Sequence, residues 1–495
     1  MKKNFFRKIF FVLAAALVFS MLNCTSLSSK AGMSKLNDPI PFMEGVRTGT
    51  LKNGLTYYIY ENKKPQDRAF LTLAVNAGSV LETEEERGLA HFVEHMAFNG
   101  TKRFPESALV EYLRSLGMRF GADLNAYTSF DETVYRLEVP VTSDQDGVRR
   151  IPAEAVEIIS DWTNAIKFDV KDVDDERNVI MEEYRLRLGA SERMWRFLQP
   201  RLFEGSKYAN REPIGLPGII QNAPAKTLTG FYKKWYVPQN MAVIFVGDFD
   251  GEALEKSLNE YFQETAPGAD FSRPFYVLPD PVKGKKETAF FIDSEQSGTS
   301  IDLLYKHPFQ EPENNVERYK TELTDMLIES IMEERFKDET LKADSPFIEG
   351  DASLVHLVRG ALHYDFSAFI KTDRSKDGLE LLLRMKENAQ RFGFSNSEIS
   401  RAKESLISAL KNSVTEKKPS DYFVSLFKDN FLEDQYVSSA IWDLETAQKL
   451  LPSIDKKVLQ NRFNYYFSYD DVFVLLCAPE NGSESLPDDD FINNA

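Results

Sequence analysis

Hydrophobic positions along the chain change period several times, and those changes mark out its elements. β-Branched and aromatic residues crowd residues 54–60 and 69–75, which predicts two strands. Residues 84–98 and 105–116 repeat their apolar positions at helical spacing, with Pro105 in a first turn and Gly117 at a stop. Strands at 123–129 and 133–139 come next, then a helix-rich stretch from 153 to about 236. The apolar run at 241–246 reads as a buried strand, followed by one more helix to about 264.

A linker with Pro267, Gly268, Pro274, Pro279, Pro281 and Gly284 precedes a second unit that begins near Ala289. The two units look related. Trp235-Tyr236 before the strand at 241–246 resembles Tyr466-Phe467 before the apolar run at 472–477. One duplicated domain follows, and with it an α+β fold of two related domains, each a mostly antiparallel sheet packed with helices. The expected divisions are a signal segment at 1–24, a polar linker at 25–40, a first domain at 41–265, a linker at 266–288, a second domain without metal residues at 289–480, and a disordered acidic tail at 481–495.

Composition narrows the function. At 495 residues, with 42% hydrophobic residues, the chain is long enough for more than one core, since domains average roughly 150 residues. A formal charge of -17 with no basic cluster in the mature region excludes nucleic acid as a partner, because phosphates demand a positive face. Lys2, Lys3, Arg7 and Lys8 precede an apolar run at 9–22, too short to span a bilayer and built like an export signal. The run ends at Asn23-Cys24, which resembles a bacterial lipoprotein signal with Cys24 lipidated; a conventionally cleaved exported protein is the alternative. The cell envelope or periplasm is the expected location. Only Cys24 and Cys477 exist, and Cys477 sits in an apolar run where a small buried residue is expected.

Chemistry concentrates in Gly88-Leu89-Ala90-His91-Phe92-Val93-Glu94-His95-Met96. At about 100° per residue, His91, Glu94 and His95 share one helix face, and Leu89, Phe92, Val93 and Met96 the other. Two imidazoles one turn apart can converge on one cation, and a catalytic zinc needs three protein ligands and an open position. The third ligand is sought at 175–184, where Glu176, Val179, Ile180 and Glu183 fall on one stripe. Carboxylates in line with buried residues need partners. Glu183 is then the ligand and Glu176 the group that fixes a histidine's tautomer, with Glu182 the second choice for the ligand. Glu94 is the general base. His307, His356 and His363 have no ligand spacing. A purely structural zinc site is excluded by ligand type, since those sites are usually closed by cysteines.

With these motifs the chain resembles the pitrilysin/insulinase peptidases, the inverzincins, and among them the bacterial periplasmic branch. The resemblance rests on residues 88–101 and 176–183, on Asn125-Ala126-Tyr127-Thr128-Ser129, and on residues 235–243; it covers nearly all of 45–265 and thins afterwards. It implies one zinc ion per chain held by His91, His95 and Glu183, with Glu94 as base and Glu176 behind a ligand. It implies further that Asn125, Ala126, Tyr127 and Thr128 form a sheet edge to which an extended peptide adds as a strand; from the residues alone, an ordinary paired strand reads as well. Active members carry an arginine and a following tyrosine in a later copy of the domain. The corresponding stretch here, with Arg335, has no such tyrosine. The chain resembles the first half of the long members, so a second family subunit or a second copy is expected to complete a chamber. A non-catalytic binding or assembly subunit is the alternative to a metalloendopeptidase.

Overall fold

The computed structural model describes residues 35–494, except 106–107, 119–123, 266–267, 269–270, 312 and 372. The signal segment, Cys24 and most of the expected polar linker lie outside the described residues. No helix among those described is long and apolar enough to cross a membrane.

The first domain contains β1 (Arg47–Thr50), β2 (Thr56–Glu61), β3 (Arg68–Val75), β4 (Leu124–Thr128), β5 (Thr133–Pro140) and, after a two-stranded ribbon of β6 (Thr142–Ser143) and β7 (Arg149–Arg150), β8 (Met241–Gly247). Its six-stranded sheet runs β1-β2-β8-β3-β5-β4. Helices α1 (Leu89–Asn99), α2 (Ala108–Ser115), α3 (Ala153–Asn164), α4 (Val170–Leu186) and α5 (Ala190–Leu202) fall between β3 and β8. The second domain contains β9 (Lys286–Ile292), β10 (Thr299–His307), β11 (Phe347–Val358), β12 (Ala361–Ile370) and β13 (Val472–Ala478) in the order β11-β12-β10-β13-β9.

Laid over one another, β2-β8-β3-β5-β4 and β9-β13-β10-β12-β11 are the same sheet. Among the described residues the only parallel pairs, β2 with β8 and β9 with β13, occupy the same place in each. The apolar runs read from the sequence as matching strands are β8 and β13, and every residue of both is buried. That pattern is what a strand covered on both faces requires.

Each domain covers the other's sheet. The helix Ser420–Glu433 of the second domain packs Val424, Phe427 and Leu432 on Tyr58, Ala74, Val134, Ala242 and Ile244 of the first sheet. Tyr58 stacks on Phe427 with centroids 5.5 Å apart. In return α5 sets Phe197 5.7 Å from Phe291 and Met194 Sδ 3.7 Å from Cys477 Sγ, while Arg193 is bonded to Asp293. Burial of Cys477 pushes its thiol up to about 12, as suits a packing residue.

Two expectations need correction, the helix start at residue 84 and the disordered tail. The helix predicted from residue 84 begins at Leu89; Glu84–Glu86 form a separate 3-10 turn closed by a capping box from Thr83. The helix predicted at 105–116 is present as Ala108–Ser115, residues 106–107 lying outside those described, and Gly117 follows it at φ 80° as the expected stop. The acidic tail is not disordered throughout: Asp489–Asn494 is helical, and Ile492, 2% exposed, packs into the second core.

Candidate metal centre

The helix that carries the motif is set in place from its first residue. Gly88 adopts φ 104°, and a Cβ on Gly215 would stand 2.2 Å from the Gly88 Cα, so two glycine backbones touch where α1 starts. The Glu82 carboxylate then accepts from Gly88 N at 3.0 Å and Ala90 N at 2.8 Å, taking the place of a capping side chain. Burial pushes Glu82 up to about 8, against the pull of those two bonds. Leu89, Phe92, Val93 and Met96 are all at most 1% exposed, so the apolar face anchors α1.

Three ligand atoms converge from α1 and α4. His91 Nε2 and His95 Nε2 are 3.3 Å apart, and Glu183 Oε2 lies 3.6 Å from the first and 3.3 Å from the second. Three corners of a tetrahedron with zinc bonds of about 2.0–2.1 Å are about 3.3–3.4 Å apart, so the triangle has the size zinc needs. Among the described residues, His91, His95 and Glu183 form the one group of three or more such side chains that could share a metal ion. Two imidazoles and one carboxylate also match the donor set of catalytic zinc.

The surrounding groups orient the ligands. His95 Nδ1 lies 2.6 Å from Glu176 Oε1, so a neutral ring with its proton on Nδ1 turns a free Nε2 toward the other ligands. Asn99 Nδ2 donates to Glu176 Oε2 at 2.7 Å. Arg187 donates to Glu183 Oε1, the oxygen turned away from the histidines. Burial lowers His91 to about 3, so it is neutral as a ligand must be. Burial also opposes charge on His95, but the bonds with Glu176 and Glu183 outweigh it and lift that ring to about 9. The bond with His95 brings Glu183 down to about 2.

Glu94 stands on the same helix without joining the triangle. Burial raises it to about 7, opposed by Thr128 Oγ1, which donates to Glu94 Oε2 at 2.6 Å. A carboxyl poised near neutrality can both take and return a proton. Thr128 belongs to β4, the last strand of the sheet, whose only strand neighbour among the described residues is β5. Asn125, Ala126 and Tyr127 lie on that edge strand with it.

Other expected residues fall elsewhere. Glu182 is exposed and paired with Arg185 at 3.2 Å. Val179, read as part of the buried stripe, is 52% exposed; Ile180 and Val173 are the residues that α4 buries. Arg335 is bonded to Glu398 at 2.7 and 3.1 Å and to the Gly393 carbonyl at 2.9 Å, within its own domain. His307 and His363 are buried in the second domain. Sequence reasoning missed Glu82, Asn99 and Arg187. Arg187 was within reach, four residues after Glu183 on a helix. Glu82 lies too far before α1 for any capping rule.

The chain has clear relatives. A family described as insulinase (peptidase family M16) matches residues 57–196, and the peptidase M16 inactive domain matches 222–406. It is 33% identical over 428 residues to the probable zinc protease PqqL of Escherichia coli (strain K12), covering 83% of this chain and 45% of that protein. The Haemophilus influenzae protein of the same name is 33% identical over 388 residues, 78% of this chain and 40% of that one. The chain thus spans less than half the length of these curated relatives. It is similar to the crystal structure of the first half of the periplasmic protease PqqL from Escherichia coli, with a TM-score of 0.85 and 27% identity over 92% of this chain and 97% of that one. Against the complete PqqL structure the TM-score is 0.84 at 28% identity, over 92% of this chain and 50% of that one.

Proposed function

The chain belongs to peptidase family M16, the insulinase family, with PqqL zinc proteases among its homologues, and from that membership we propose that it is a zinc metalloendopeptidase acting on extended peptides or unfolded polypeptides. The observation that carries the reading is the triangle of His91 Nε2, His95 Nε2 and Glu183 Oε2 beside the buried Glu94. Zinc, when bound, supplies Lewis acidity that polarises a carbonyl and acidifies water. His91, His95 and Glu183 would hold it, one ion per chain. Glu176 keeps the proton of His95 on Nδ1 so that Nε2 stays available. Thr128 holds Glu94 Oε2, which leaves Oε1 to take a proton from the attacking water and deliver it to the departing amine. Substrate adds along β4 at Asn125, Ala126, Tyr127 and Thr128, where backbone pairing gives affinity without reading side chains.

The working enzyme has a second half. The chain spans 50% of the complete PqqL structure, and Arg335 is held by Glu398 and the Gly393 carbonyl. Groups that bind the reacting carbonyl are then supplied by that second half-chamber, and these 495 residues by themselves are weakly active or inactive. The engaged Arg335 also favours, as a second reading, a binding or assembly subunit. Export to the periplasm, with Cys24 as a lipid anchor, completes the proposal. The test is zinc content and cleavage of an unstructured peptide by the chain and by Glu94→Gln, with and without a candidate partner. With the partner present, zinc retained with cleavage lost in the variant is the expected result; equal, measurable cleavage by both contradicts it.

A further inference from the structure

The turn between β4 and β5 carries two adjacent carboxylates, Asp131 and Glu132, and residues from outside the first sheet grip both. Arg359, at the tip of the β11–β12 hairpin, donates from Nη2 to Glu132 Oε2 at 3.3 Å, and Lys428 Nζ reaches Glu132 Oε1 at 3.3 Å. Arg273, on the segment joining the domains, donates to Asp131 Oδ1 at 3.1 Å, and Tyr208 OH donates to the same carboxylate. The five charged side chains are only 8–11% exposed.

Such a cluster is a costly way to hold two domains together. Desolvation takes back most of what buried ion pairs gain, and an apolar contact of the same volume would serve stability as well or better. The joint already has an apolar seat, where Phe427 packs on Tyr58 one residue from Lys428. What the charges add is position. Glu132 Oε1 accepts from Tyr127 OH at 2.6 Å, and Tyr127 precedes Thr128, whose hydroxyl holds Glu94. A chain of contacts therefore runs from Arg359 and Lys428 through Glu132 and Tyr127 to the edge strand β4 and on to the base. The backbone of the turn is fixed separately, by Ser79 N on the Ser129 carbonyl and Val80 N on that of Phe130. An edge strand with one neighbour is otherwise among the easier parts of a sheet to open.

From this geometry we infer that Arg359 and Lys428 are positioning residues, by which the metal-free domain fixes β4 through Glu132 and Tyr127. The inference takes its meaning from the reading of β4 as the substrate edge, but its test does not depend on that reading. Amide exchange over residues 124–130 of the full chain is followed in wild type, Lys428→Met, Lys428→Arg and Tyr127→Phe. Lys428→Met should speed exchange there by on the order of tenfold while β2 and β8 keep their rates. Lys428→Arg should stay within about twofold of wild type. Tyr127→Phe cuts the link without unpairing a charge and should speed the same segment, which decides the matter if Lys428→Met fails to fold. Unchanged exchange in Tyr127→Phe, or acceleration spread evenly through both sheets in Lys428→Met, overturns the inference. Affinity for a labelled unstructured peptide, read by anisotropy on zinc-loaded chain, should fall about tenfold in Tyr127→Phe, in step with the exchange. If wild type binds no peptide, the substrate reading falls while the exchange comparison still decides this one.

Discussion

Removing the carboxylate of Glu176 is the most informative single perturbation, because Glu176 touches no expected metal position and acts only through His95. Three things go with it: the 2.6 Å bond that orients the ring, the placement of the proton on Nδ1, and a negative charge behind a ligand. Loss of such a partner typically costs 10–100-fold in metal affinity, or about 1.4–2.8 kcal/mol. The structure orders two substitutions within that range. In Glu176→Gln the amide oxygen can still accept from Nδ1, but its NH2 then faces Asn99 Nδ2, a donor that now sits 2.7 Å from Glu176 Oε2. Asn99 can turn its oxygen inward to resolve the conflict, so this variant should lie near the tenfold end. Glu176→Ala frees the ring to rotate and should lie near the hundredfold end. Competition for zinc against a chromophoric chelator reads both. Glu182→Gln is the control, since Glu182 is exposed and bonded to Arg185, and it should bind zinc within about twofold of wild type. Wild-type affinity in Glu176→Ala, or a larger loss in Glu182→Gln than in Glu176→Ala, would refute the reasoning.

Other perturbations probe the frame. Gly215→Ala places a methyl group 2.2 Å from the Gly88 Cα at φ 72° and should lower stability by about 2–4 kcal/mol in denaturant titrations, zinc affinity falling with it as the start of α1 shifts. Phe427→Ala removes a fully buried ring of the helix Ser420–Glu433 that packs on the first sheet and should cost about 3–5 kcal/mol, both domains still melting in one calorimetric transition because each covers the other. For Glu398, burial alone would raise the carboxyl, but bonds from Arg335 and the Ser395 backbone outweigh it and bring it from an ordinary 4.5 down to about 2. A depressed carboxyl stabilises above its unfolded pKa, so that contribution should be complete above pH about 4.5 and disappear toward pH about 2. Melting temperature against pH should therefore fall less steeply across this window in Arg335→Met than in wild type.

Much of this was legible because periodicity reports burial. His91, Glu94 and His95 project together because helical spacing puts them there, and β8 and β13 were recognisable as counterparts because a strand buried on both faces must be continuously apolar. Val179 misled for the same reason. It fits the stripe of α4, yet that helix lies at the surface, where only Val173 and Ile180 face inward. Long-range partners left no trace in spacing. Glu82 caps α1 from across a 3-10 turn, and Lys428 meets Glu132 across 296 residues of chain. The helix Ser420–Glu433 belongs to the second domain by sequence and to the first by packing, an exchange that no composition boundary reveals. Ile492 ties down a tail whose acidic residues pointed the other way.

Crystals of the zinc-loaded chain, measured on both sides of the zinc absorption edge, test the central claim most directly. The account predicts a single anomalous peak about 2.0–2.1 Å from His91 Nε2, His95 Nε2 and a Glu183 carboxylate oxygen. No peak between those three side chains, or a peak ligated by Glu182 instead, would contradict it.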